Sequence, residues 1–109
     1  MIPVKNRIFL FDEYAAEERR KYLIVVIYDI VDNKRRTAFA KYLLGFGVRV
    51  QKSAFECILA GAKYDKLLRG IPLLITAEDL VRVYKLTGNA DIKVWGSVDL
   101  TEDEEVIII

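Results

Sequence analysis

The chain has 109 residues, 53% of them hydrophobic, and sets 17 Lys and Arg against 16 Asp and Glu for a net charge of +1. One domain with an ample core is expected, and any polyanion-binding surface has to come from local segregation of charge rather than from the whole molecule. One cysteine and no histidine exclude an internal disulfide, Ser-His and Cys-His catalysis and any His-ligated metal.

Residues 1–20 read as an N-terminal extension. Its apolar stretch 8–11 is followed by Asp12 and Glu13 and then by Ala-Ala-Glu-Glu-Arg-Arg, a short helix with acids in its first turn. Residues 21–109 form the main domain. Residues 21–28 are apolar on both faces and rich in β-branched side chains, which predicts a central, doubly covered strand that stops on Asp29. Asp32 or Asn33 can cap the helix that follows. Its stripe is Phe39, Tyr42, Leu43 and Phe46, and Gly45 or Gly47 should end it in the left-handed cap position.

Residues 48–59 form a second strand region. Arg49, Gln51 and Ser53 share a face that continues as Phe55, Cys57 and Leu59, so that face turns from polar to apolar midway. Either a bulge or bend near Lys52 separates the halves, or the face runs out of the core into a site. Cys57, in an apolar run, reads as a small core residue. Tyr64, Leu67, Leu68 and Ile71 make a second helical stripe, which Pro72 should end or kink. A strand over 80–86 with Val81 and Val83 on one face, a turn over 87–90, a strand over 92–98 and a short final strand over 105–109 complete the chain.

This order predicts an α+β, ferredoxin-like βαββαβ sandwich. An antiparallel sheet carries both helices on one face, with an extra C-terminal strand and the N-terminal extension. The other sheet face is rich in aliphatic side chains, so a second copy is expected to cover it. Pairing of strand 105–109 with that copy would remove an exposed edge. No apolar run approaches the ~18 residues of a membrane span, and the N-terminus lacks the pattern of a signal peptide; the expected location is the cytoplasm.

Charge is segregated. Lys34, Arg35, Arg36, Lys41, Arg49 and Lys52 form a central basic block, while Glu102, Asp103, Glu104 and Glu105 lie near the C-terminus. Without histidine, phosphodiester chemistry has to run on a cation bound by carboxylate. Mg²⁺ binds through one or two carboxylates and keeps several waters, one of which can attack phosphorus. Asp29, ending a buried strand just before a cationic helix start, is the candidate catalytic and metal residue. One carboxylate makes a sparse site, but in a symmetric dimer two Asp29 side chains can converge on one ion. Arg35, Arg36 and Arg49 are candidates to hold phosphates, with Lys41 in the same basic block and Lys52 extending the track. Tyr28 and Phe55 are candidates to stack on bases or shape the groove. Beside each stands a plainer alternative: a turn residue at Asp29, a solvated helix start, a core Phe55.

The strand ending in Tyr28 and Asp29, the run Asp32 to Arg36, the helix through Phe39 to Leu44, and the block Gly47 to Glu56 with Arg49, Gln51, Ser53 and Phe55 in order together resemble the small CRISPR-associated adaptation protein, the dimeric ferredoxin-like partner of the CRISPR integrase. The strand 81–86 and the terminal 105–109 match in style, so the resemblance covers about residues 21–109. It implies a homodimer whose C-terminal strand joins the partner's sheet, and a Mg²⁺-dependent endonuclease acting on RNA or double-stranded DNA through the aspartate matching Asp29. It also implies a scaffold that bridges integrase dimers and holds new spacer DNA, a role in which cleavage is dispensable. It adds Gln51 and Ser53 to the candidate nucleic-acid contacts. Three departures stand out: the first twenty residues do not fit, Asn33 stands where the family often has an acid, and Lys52 stands where an aromatic is common. A toxin-like ribonuclease and a small-ligand regulatory domain are the alternatives of related fold.

Overall fold

A computed structural model describes residues 20–96. Residues 1–19 of the extension and the strand expected over 105–109 lie outside these residues, as does the acidic C-terminal cluster. Strand β1 (Lys21–Asp29) leads to helix α1 (Asn33–Leu44), then to β2 (Gly47–Gln51), β3 (Ala54–Ala60), helix α2 (Gly61–Gly70), β4 (Leu80–Lys85) and β5 (Asp91–Gly96). The five strands form one sheet in the order β2-β3-β1-β4-β5, with each neighbouring pair antiparallel. The expected βαββαβ order is therefore present, with β1 in the middle and β5 added at the β4 edge. No helix among the described residues is long and apolar enough to cross a membrane.

The pleat of β1 shows why both helices share one face. Ile24, Val26 and Tyr28 are buried, and they meet Phe39 and Leu43 of α1, Phe55 and Cys57 of β3, Leu67 of α2, and Val81 and Val83 of β4 in a single core. Each large apolar side chain so enclosed stabilises the fold by about 1.5–3 kcal/mol. The intervening residues Leu23, Val25 and Ile27 point to the other face, which nothing covers in one chain; Ile27, Ile58 and Val48 are exposed there. The Tyr42 hydroxyl bonds the carbonyls of Lys66 and Leu67 at 3.1 Å, joining the two helices.

Local expectations fare unevenly. Asp32 is the N-cap of α1, accepting the Arg35 N–H at 2.9 Å. Pro72 does end α2, and the chain continues as a 3₁₀ turn over Ile71–Leu73. The left-handed cap is not found, because Gly45 closes α1 at φ −75° and Gly47 is not at positive φ either. Gly47 is needed for a different reason: a Cβ there would collide with the Glu56 carbonyl and the Cys57 sulfur of β3. The expected strand region 48–59 is a hairpin, turning at Lys52 and Ser53 with a register shift between Arg49 and Gln51. Its change from polar to apolar is the change from an edge strand to an interior one. Arg49 pairs directly with Phe55, so both lie on the helix side of the sheet.

Candidate metal and nucleic-acid site

One end of the sheet gathers most of the candidate residues. Asp29 closes β1 there, opposite Leu80 of β4. The start of α1 and the β2–β3 turn stand beside it, since Ile27 pairs with Ala54. Alternation puts Asp29 on the uncovered face with Leu23, Val25 and Ile27. It is exposed, and no side-chain hydrogen bond or ion pair engages it among the described residues. No group of three or more His, Cys, Asp or Glu side chains able to hold a metal occurs among them either.

The acid that sequence reading passed over is Asp79. It is 0% exposed, the one buried charged residue among those described. Oδ1 accepts the Val31 N–H at 3.0 Å and Nη2 of Arg35 at 3.2 Å. Oδ2 accepts Nε of Arg35 at 3.0 Å, the Thr76 N–H at 2.9 Å and the Thr76 hydroxyl at 3.4 Å. These five bonds use the acceptor positions of a carboxylate, which offers about four lone-pair sites, so Asp79 is a brace and not a second metal ligand. Burial on its own would push this carboxyl up, but the Arg35 hydrogen bond, the Thr76 and Val31 N–H groups and the Arg35 charge outweigh it and bring it down to about 2. Arg35 shifts upward in turn, chiefly through its hydrogen bond to Asp79. The available signal was Thr76 three residues before an acid that sits just ahead of an apolar strand, a pattern that demands a local partner.

Two of the three arginines expected to hold phosphate, Arg35 and Arg36, are engaged within the fold. Arg35 grips Asp79, and Arg36 donates from Nη1 to the Ile30 carbonyl and from Nη2 to Oδ1 of Asn33, both at 2.7 Å. Cations in the first turn oppose the helix dipole. The Asp32 cap and the buried Asp79 supply the negative charge that the first turn of α1 otherwise lacks.

Tyr28 and Phe55 are corrected. They are 3% and 0% exposed, and the Tyr28 ring packs edge-on against Phe39 at 5.1 Å. Neither ring presents a face to a base, because the central strands β1 and β3 turn both side chains under the helices. Their work is to anchor the hairpin. The Tyr28 hydroxyl donates to the Lys52 carbonyl at 3.4 Å and accepts from Nη2 of Arg49 at 3.1 Å, while the Tyr28 N–H donates to the Ser53 carbonyl at 3.1 Å. Arg49 also lies 5.5 Å over the Phe55 ring, a cation–π contact. Arg49 thus belongs to the helix side and Asp29 to the open face, so the two are not side by side as expected. Gln51 and Lys52 are exposed near this end. Lys41, in the last turn of α1, is about 12 Å along the helix axis from Asn33 at 1.5 Å per residue, away from Asp29.

Residues 22–94 match the model of the family described as CRISPR associated protein Cas2. The chain is 42% identical over 87 residues to a CRISPR-associated endoribonuclease Cas2 of Mycobacterium tuberculosis, covering 80% of this chain and 77% of the relative. It is 38% identical over 90 residues to a CRISPR-associated endonuclease Cas2 of Thermus thermophilus, covering 82% and 98%. The crystal structure of Streptococcus pyogenes Cas2 superposes with a TM-score of 0.56 at 30% identity, over 62% of this chain and 88% of that one.

Proposed function

The chain belongs to the CRISPR-associated protein Cas2 family, and from that footing we propose that it is a homodimeric, Mg²⁺-dependent endonuclease of CRISPR spacer acquisition, acting on RNA or double-stranded DNA. One observation carries the reading. Asp29 is the exposed, unengaged carboxylate at the end of the central strand, whereas its neighbour Asp79 is spent on structure. Such a donor set fits Mg²⁺, which takes one or two carboxylates and otherwise keeps its waters. Asp29 from each of two copies would hold the ion, and the bound ion supplies an activated water and neutralises charge on the phosphate.

A second copy is supported by the open sheet face, where Ile27, Val48 and Ile58 are exposed and Ile27 lies two residues from Asp29 on the same face. A two-fold axis passing near the Asp29 end of the packed faces would bring the two Asp29 residues together. Exposed Lys34, Lys41, Arg49 and Lys52 lie on the helix side or edge and attract the phosphate backbone electrostatically. The relatives' names divide between endoribonuclease and endonuclease, in keeping with either substrate.

The test is cleavage of single-stranded RNA and duplex DNA with Mg²⁺ and with EDTA, for the wild type and Asp29→Ala. Loss of cleavage by at least ~10³-fold in the variant is expected; cleavage that survives Asp29→Ala removes the carboxylate from catalysis. A second reading, a non-catalytic scaffold that holds spacer DNA for the integrase subunit, is favoured by the single available carboxylate per chain. It predicts that Asp29→Ala integrates spacers normally.

A further inference from the structure

The ladder between β1 and β4 ends at Asp29 and Leu80. From there, side chains take over the path of the chain. The peptide unit joining Ile30 to Val31 is held at both edges: its carbonyl accepts from Nη1 of Arg36 at 2.7 Å, and its N–H donates to Oδ1 of Asp79 at 3.0 Å. A peptide plane gripped on opposite edges cannot rotate without breaking one bond or the other.

Asp79 is well placed for this. It directly precedes Leu80, the cross-strand partner of Asp29, so it braces the first peptide that the ladder no longer reaches. It is itself immobilised. Arg35 and Thr76 occupy its remaining acceptor positions, and its own N–H donates to the Thr76 carbonyl at 3.0 Å. Its carbonyl packs against Gly96, where φ is +109° and a Cβ would collide.

We propose that Asp79 is a positioning residue for the Asp29 site: by fixing the Ile30–Val31 peptide together with Arg36, it sets the direction in which the Asp29 carboxylate is presented. The proposal rests on Asp29 being the reacting carboxylate. Asp79 acts through the backbone and touches neither metal nor substrate. Partners of this kind matter because reacting groups misplaced by about 1 Å lose roughly 10²-fold in rate.

Asp79→Asn keeps the shape of the side chain and removes its charge. The test compares it with Asp29→Ala and Arg35→Lys in the full-length protein. Readouts are Mn²⁺ affinity by electron paramagnetic resonance, exchange of the Val31 amide by NMR, Mg²⁺-dependent cleavage, and thermal midpoint. Asp79→Asn should fold with a lowered midpoint and lose roughly tenfold or more in Mn²⁺ affinity and in cleavage, the usual scale for a residue that orients a ligand. The Val31 amide should exchange about tenfold faster. A merely structural role would lower the midpoint and leave Mn²⁺ affinity in the folded protein untouched, and that result overturns the proposal. If Asp79→Asn does not fold, Arg35→Lys decides: it keeps the charge but not the two-pronged grip, and unchanged Mn²⁺ affinity there overturns the proposal equally. If Asp29→Ala binds Mn²⁺ as tightly as the wild type, the Asp29 reading fails and this one with it. If Asp29→Ala loses the ion and Asp79→Asn keeps it, only the positioning role fails.

Discussion

Arg35 and Asp79 stand 44 residues apart in the chain and meet in a two-pronged pair, Nε to Oδ2 at 3.0 Å and Nη2 to Oδ1 at 3.2 Å. The carboxylate is fully buried, and removing either partner strands a charge or a set of backbone donors. Asp79→Ala is therefore expected to cost about 2–3 kcal/mol at neutral pH, read as a fall in the urea midpoint.

The same pair predicts a pH dependence. The folded-state value of Asp79, about 2, lies below the ~3.9 of an unfolded aspartate. The stabilisation is complete above the unfolded value and is lost as pH falls through the folded one. The difference in stability between the wild type and Asp79→Asn should stay constant from neutrality to about pH 5 and narrow between ~4 and ~2. A difference that stays constant to pH 2 would show that the Asp79 charge contributes nothing specific.

Tyr28→Phe separates anchoring from base stacking. The ring stays in the core, but the hydroxyl that joins Arg49 to the Lys52 carbonyl is gone, at a cost of about 1 kcal/mol. Phe55→Ala empties a fully buried position and should cost about 3–5 kcal/mol. Nucleic-acid affinity of folded Tyr28→Phe, measured by fluorescence anisotropy, should change only through the freed Arg49. A drop with the size of a lost stacking platform, ~1–3 kcal/mol, would contradict the buried placement of the ring.

The proposed dimer is tested through Ile58, 67% exposed on the open face of β3 opposite Leu23. Ile58→Asp sets a charge where a second copy would exclude water and should weaken association by roughly 10²-fold or more in sedimentation experiments. The fold of each chain should survive, since the position is exposed within one chain. Leu73→Asp, exposed in the turn after α2 on the helix side, serves as the control and should leave association intact. Equal behaviour of the two variants would remove the open face from the interface.

Much of the architecture was legible in particular residues. The β-branched run before Asp29, the Phe39–Leu43 stripe, Pro72 after the second stripe and the Val81–Val83 alternation each report a local period or a local backbone constraint, and all four appear where expected. The hairpin at Lys52 was harder, because Arg49 and Phe55 have the same parity along an unbroken strand and also share a face across a hairpin. The misplaced candidates were Tyr28 and Phe55: an aromatic at a strand end looks the same whether it faces solvent or a helix.

By itself, then, the sequence determined the order of elements, the central strand and the carboxylate at its end, since these follow from periodicity and side-chain type. The tertiary structure alone decided which pleat face of β1 is covered, and so put Asp29 on one side and Arg49 on the other. It alone brought Asp79 to Arg35 and to the Val31 N–H. A buried carboxylate has to be paired, but which residues pair with it depends on contacts between distant parts of the chain that no local pattern records.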